Sequence, residues 1–105
     1  MILHVDVVNK IATFQKRDGE IVCGNSGYQI AFTFDSEWDG VEKEAVLRWK
    51  GNPNGNPTRV PIVDGVCDVP RISNADEIIV GVHSESAGMT TTGTVIPCKK
   101  SILCG

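Results

Sequence analysis

Turn-forming residues interrupt this chain about every eight to twelve positions, and between the interruptions apolar and polar side chains alternate. A pattern of that period admits short β-strands and leaves no stretch for a long helix. The clearest segment is Tyr28 to Phe34, with Tyr28, Ile30, Phe32 and Phe34 on one face and Gln29, Ala31 and Thr33 on the other. It succeeds the turn cluster Gly24-Asn25-Ser26-Gly27 and is expected to carry the centre of a core built from Tyr28, Ile30, Phe32, Phe34, Leu47 and Trp49.

The same signal recurs on both sides of that strand. Leu3, Val5 and Val7 oppose His4 and Asp6, which predicts a strand over about residues 2 to 8. Lys10 to Gln15 is β-branched and aromatic, and Arg17-Asp18-Gly19 ahead of Glu20 to Cys23 predicts a hairpin. In Glu44 to Lys50, Ala45, Leu47 and Trp49 share one side, so one face of that sheet should be wet. Gly51 to Pro57 combines two prolines with Gly and Asn and reads as a protruding loop. Strands are expected at Arg59 to Val63 and Val66 to Val69 around Asp64-Gly65, then at Ile78 to His83 and Thr90 to Ile96, with one helical turn at Ser73 to Asp76.

Size and composition narrow the function. A chain of 105 residues is close to the modal size of one domain. It is 41% hydrophobic and 22% charged, as globular proteins are, and no apolar run approaches the roughly 18 residues of a membrane span, so no membrane partner is expected. Met1 to Val8 contains Asp6 and lacks the basic start and apolar stretch of a signal peptide. The net charge is −3 with no large Lys/Arg cluster, which argues against nucleic acid as a partner. Cys23, Cys67, Cys98 and Cys104 form no C-x-x-C pair and are expected to be mostly free thiols.

Motifs for catalysis and metal binding are weak. Asp35-Ser36-Glu37-Trp38-Asp39-Gly40 has the alternating acids and the glycine of a calcium loop, but Val46 stands where the closing bidentate Glu belongs. His4 and His83 are the only histidines and have no zinc-site spacing to the cysteines. No G-x-S-x-G or comparable nucleophile signature occurs, and Asp35, Glu37 and Asp39 read as solvated charges rather than a glycosidase pair. No enzyme, metal or cofactor is expected. Trp38, Trp49 and Tyr28 would stack on sugar rings if exposed, whereas core packing is the stronger expectation in a chain with six aromatics. Thr90, Thr91, Thr92 and Thr94 mark a strand with a polar β-branched face, either an edge or an oligomer contact. Asn56-Pro57-Thr58 fails as a glycosylation acceptor because of its proline.

One segment has a wider likeness. Tyr28 to Gly40, then Lys43-Glu44-Ala45-Val46-Leu47-Arg48, resembles a strand-turn-strand pattern of tail and baseplate proteins of bacteriophages and prophages. Val66-Cys67-Asp68-Val69-Pro70, Ile79-Val80-Gly81-Val82 and the threonine-rich strand leading to Val95-Ile96-Pro97 fit the same pattern, and the Phe-Asp-x-x-Trp-Asp-Gly turn is its most specific part. From about Gly27 to Pro97 the chain resembles the N-terminal domain of upper baseplate proteins from phages of Gram-positive hosts. That resemblance implies a β-sandwich that docks on the virion and leads into trimerising, receptor-binding segments. The four cysteines and the ending Cys98 to Gly105 depart from the pattern.

The expectation is therefore one all-β domain over residues 1 to 105, of the sort that stands at the N-terminus of a longer chain. It should be an antiparallel β-sandwich of about eight short strands, immunoglobulin-like or jelly-roll-like. Its expected role is a virion structural domain, made in the bacterial cytoplasm from a prophage, that binds other phage structural proteins and forms a homo-oligomer such as a trimer. The alternative is a carbohydrate- or cell-surface-binding module. The candidate contact residues are Trp38, Asp39, Asn54 and Thr91.

Overall fold

The computed structural model describes residues 2–15, 19–49, 57–72, 75–99 and Ile102. The described strands are β1 (Ile2–Val8), β2 (Ile11–Phe14), β3 (Ile21–Val22), β4 (Gln29–Phe34), β5 (Glu44–Arg48), β6 (Thr58–Pro61), β7 (Val66–Asp68), β8 (Glu77–Ser84), β9 (Met89–Thr90) and β10 (Thr94–Lys99), with a 3-10 turn at Ser36–Trp38. They form two sheets, a four-stranded one ordered β2-β1-β4-β7 and a six-stranded one ordered β3-β10-β8-β5-β6 with β9 beside β8.

Alternation decides which side chains lie between the sheets. Leu3, Val5 and Val7 of β1 and Ile30 and Phe32 of β4 face Ala45 and Leu47 of β5, Ile78, Val80 and Val82 of β8 and Ile96 of β10, all buried. Tyr28, Phe34 and Trp49 are only partly buried and pack against the margin of this core. The all-β sandwich expected from the strand pattern is the fold the chain adopts.

Its pairing is less regular than hairpin signals suggest. β1 runs parallel to β4 with Val5 opposite Phe32, and β10 runs parallel to β3 with Cys98 opposite Ile21, so both sheets are mixed rather than purely antiparallel. The hairpin expected between the second and third strands does not form: β2 folds back on β1, while β3 joins β10 in the other sheet. The turn between β1 and β2 is Asn9-Lys10, both at positive φ (51° and 62°), the conformation that matches the twist of two-residue hairpins. Asp64-Gly65 (φ 53° and 78°) does turn the chain as expected, with Val63 bridged to Val66, but it carries the chain from β6 in one sheet to β7 in the other. Of the expected helical turn, Ser73 and Asn74 lie outside the described residues, and Ala75 and Asp76 are not helical. Of the expected protruding loop, Gly51 to Pro57, all but Pro57 also lie outside the described residues.

The threonine-rich strand is interrupted by a β-bulge. His83 pairs with Thr90 and Val80 with Thr94, so Gly81 and Val82 face three residues, Thr91, Thr92 and Gly93. One extra residue reverses the facing of the rest of the strand: Thr90 is on the outer surface, whereas Ile96 and Cys98 point into the core. A Cβ at Gly93 would fall 2.5 Å from Cγ2 of Ile79, so any larger residue here would have to displace that side chain.

Candidate functional site

The turn after β4 is the most distinctive motif in the sequence, and three of its side chains, Asp35, Glu37 and Trp38, are occupied by the fold. Trp38 is completely buried, its ring 5.6 Å from that of Phe34, which in turn stacks on Phe32 at 5.7 Å. The Lys43 ammonium lies 5.0 Å from the centre of the Phe34 ring and donates to the carbonyl oxygens of Trp38 (3.0 Å) and Val41 (2.9 Å), which closes the loop over the indole. The acids turn the other way. Asp35 Oδ2 accepts the backbone N–H of Asn9 at 2.9 Å, and Glu37 pairs with Lys10, so two carboxylates hold the two residues of the β1–β2 turn. They do not converge on a common point as calcium ligands must.

The threonine row is also accounted for by the fold. Thr92 Oγ1 accepts from the Ala12 N–H (3.2 Å), Thr94 Oγ1 accepts from the Phe14 N–H (3.0 Å), and the Thr92 N–H donates to Lys10 O (2.9 Å). The free edge of β2 is thereby joined to the other sheet by hydroxyls, not by a main-chain ladder. Thr91 is half-buried in the bulge, its Oγ1 accepting from Val82 N–H and donating to Thr92 O, each at 2.9 Å.

Among the candidate contact residues, then, Trp38 has no exposed surface and Thr91 is engaged in the bulge, while Asp39 is exposed beside the 3-10 turn and Asn54 lies outside the described residues. For sugar stacking, Tyr28 and Trp49 are half-buried, and the Tyr28 hydroxyl accepts from the Val22 N–H at 3.0 Å. His4 sits on β1 and His83 on β8, on the outer faces of different sheets, and among the described residues no three His, Cys, Asp or Glu side chains gather as a metal site would need. Cys23, Cys67 and Cys98 are buried free thiols, and Cys104 lies outside the described residues. Burial pushes the thiols of Cys67 and Cys98 up to about 12, so both are protonated and unreactive at neutral pH. Cys23 Sγ donates to Ala75 O at 3.2 Å and packs as a small core residue.

The outer face of the six-stranded sheet remains available, and alternation alone does not single it out. Its centre is a shallow depression of about 470 Å³ bounded by Val46, Ile79 and the side-chain-free Gly81 and Gly93, with Arg48 and Arg59 at one margin. A second depression of about 200 Å³ adjoins it, with three carboxylates, Glu42, Glu44 and Glu85, around it against the one ammonium of Lys43, which is held by the Trp38 and Val41 carbonyls. His83 lies on the boundary and borders both, its Nδ1 2.7 Å from Thr90 Oγ1. Arg59 pairs with Glu44 at 2.7 Å across the sheet, whereas Arg48, Glu42 and Glu85 have no side-chain partner among the described residues. Ile79 is 40% exposed and Val95 beside it 46% exposed. Apolar side chains bordered by charges that have no side-chain partner among the described residues suit contact with another surface more than the enclosure of a small substrate.

No helix among the described residues is long and apolar enough to cross a membrane. Searches against protein-family models and against curated proteins find no match.

Proposed function

We propose that this chain is a structural domain of a phage or prophage virion, in the tail or baseplate, that acts by contact with other virion proteins and not by turnover. The observation that carries the reading is the outer face of the six-stranded sheet, where Ile79 and Val95 are exposed next to Arg48, which has no partner among the described residues. Elsewhere the distinctive side chains serve folding, including the Phe-Asp-x-x-Trp-Asp-Gly turn on which the likeness to baseplate domains rests. A motif retained for the fold is consistent with a scaffold whose contacts lie on its faces.

The carbohydrate-binding alternative needs an exposed aromatic platform. Trp38 offers none, and Tyr28 and Trp49 are each half-buried, so assembly is the better supported of the two. The test is mass spectrometry of particles purified from an induced culture of the source strain. Peptides of this chain in stoichiometric amount with tail proteins are the expected result. Intact particles lacking the chain while the lysate contains it would overturn the proposal.

A further inference from the structure

The outer face of the six-stranded sheet is divided by charge along the strand direction. Across the sheet, Arg48 lies opposite Ile79, Val46 lies between Gly81 and Arg59, and Glu44 lies between His83 and Pro61. These three rows run from a basic end to an acidic one, and Glu42 and Glu85 extend the acidic end beyond the row of Glu44, where Lys43 is the one cation among the described residues and its ammonium is bonded to the Trp38 and Val41 carbonyls. Same-face neighbours along a strand are about 6 to 7 Å apart, so the Arg48 guanidinium and these outlying carboxylates are separated by roughly 20 Å. None of the three has a side-chain partner among the described residues. A face with opposite charges at its two ends is complementary to its own inverted copy.

We infer that this face binds a second copy of the chain about a two-fold axis lying in the plane of contact, perpendicular to the strands, between the row of Val46 and the row of Glu44. That operator sets Arg59 over Pro61 and beside Glu44 of the second copy, and places His83 over the gap left by the absent side chain of Gly81. One row further out, Arg48 and Ile79 meet Glu42 and Glu85 of the second copy. Every contact occurs twice, as an isologous interface requires. Arg48 thus meets Glu42 of the second copy, and Ile79 lies against the aliphatic stem of Glu85. The occupant is a second copy because the complementary charge is already present on the same face. This inference does not depend on the virion reading, and its test involves no particles.

Sedimentation equilibrium of the purified chain at concentrations up to about 1 mM is expected to show a monomer–dimer equilibrium, weak for an interface of this extent. It should dissociate toward monomer in about 1 M salt, where the screening length falls to about 3 Å. Arg48→Glu, and separately Glu42→Arg with Glu85→Arg, should each weaken self-association about tenfold or more. An equimolar mixture of the two variant proteins should recover a dimer of at least parental affinity, because opposite charges meet again only in the mixed pair. Thermal melting of each variant alone checks that it is folded, and Arg48→Gln provides a neutral replacement should a reversed charge unfold the chain. A chain that stays monomeric at about 1 mM, a trimer, a dimer indifferent to Arg48→Glu, or variants that fail to associate on mixing would each overturn the inference.

Discussion

Two pairs of acidic residues beside turns have opposite fates. Asp35 and Glu37 are drawn to the Asn9-Lys10 turn, one accepting a backbone N–H and the other pairing with an ammonium. Glu42 and Glu85 stand on an outer face with no side-chain partner among the described residues. In sequence the two pairs look alike, as carboxylates near turns. The difference teaches that acidity alone does not mark a surface for binding here: the first pair belongs to folding, and the second is the pair that the proposed contact between copies would use. Substitutions should therefore separate them, the first through stability and the second through association.

Removing the indole enclosed by the turn of the first pair should have the largest effect. Trp38→Ala is expected to cost about 3 to 5 kcal/mol in denaturant unfolding. A loss below about 1 kcal/mol would mean that the turn is peripheral and would dissolve the contrast. Thr94→Val sharpens the comparison from the other side of the β1–β2 hairpin: it leaves the Phe14 N–H without an acceptor and should cost about 1 to 3 kcal/mol, while Thr94→Ser, which keeps the hydroxyl, should recover most of that. Asp35→Ala should cost about 0.5 to 1.5 kcal/mol, since it replaces the charged acceptor of the exposed Asn9 N–H with water. Glu42→Gln and Glu85→Gln should change unfolding free energy by no more than about 0.5 kcal/mol. If either of these costs as much as Asp35→Ala, the two pairs are not different in kind.

Much of the sandwich is legible in the chain, and the reason is periodicity. The inward set of β1, β4, β5 and β8 comes directly from alternation, because a strand buried on one face must repeat every second residue. Partner choice is not legible. Asp18-Gly19 has the composition of a hairpin turn, yet the hairpin is made at Asn9-Lys10, whose lysine is an unfavourable residue for positive φ; Asp35 holds Asn9 while Glu37 and Thr92 hold Lys10, all from positions distant in sequence. The parallel pairings likewise leave no local trace, since no short turn joins their strands. At the site, Trp38 is marked by sequence both as a contact and as core, and only the fold gives it to the core. The outer face escapes a linear reading because its residues come from β5, β6 and β8 and its depression depends on Gly81 and Gly93, which sequence reads as weak points in strands.

The hydroxyl-closed edge of β2 has a consequence for how many copies of such a domain can coexist at high density. An unpaired strand edge offers its N–H and C=O groups to any neighbouring chain and can template runaway fibre growth. Thr92 and Thr94 occupy the donors of β2, β3 and β7 are only two and three residues long, and β6 ends on a proline. Contact between copies is thereby steered away from strand addition and toward faces, where side chains set the register and growth can stop at a closed pair.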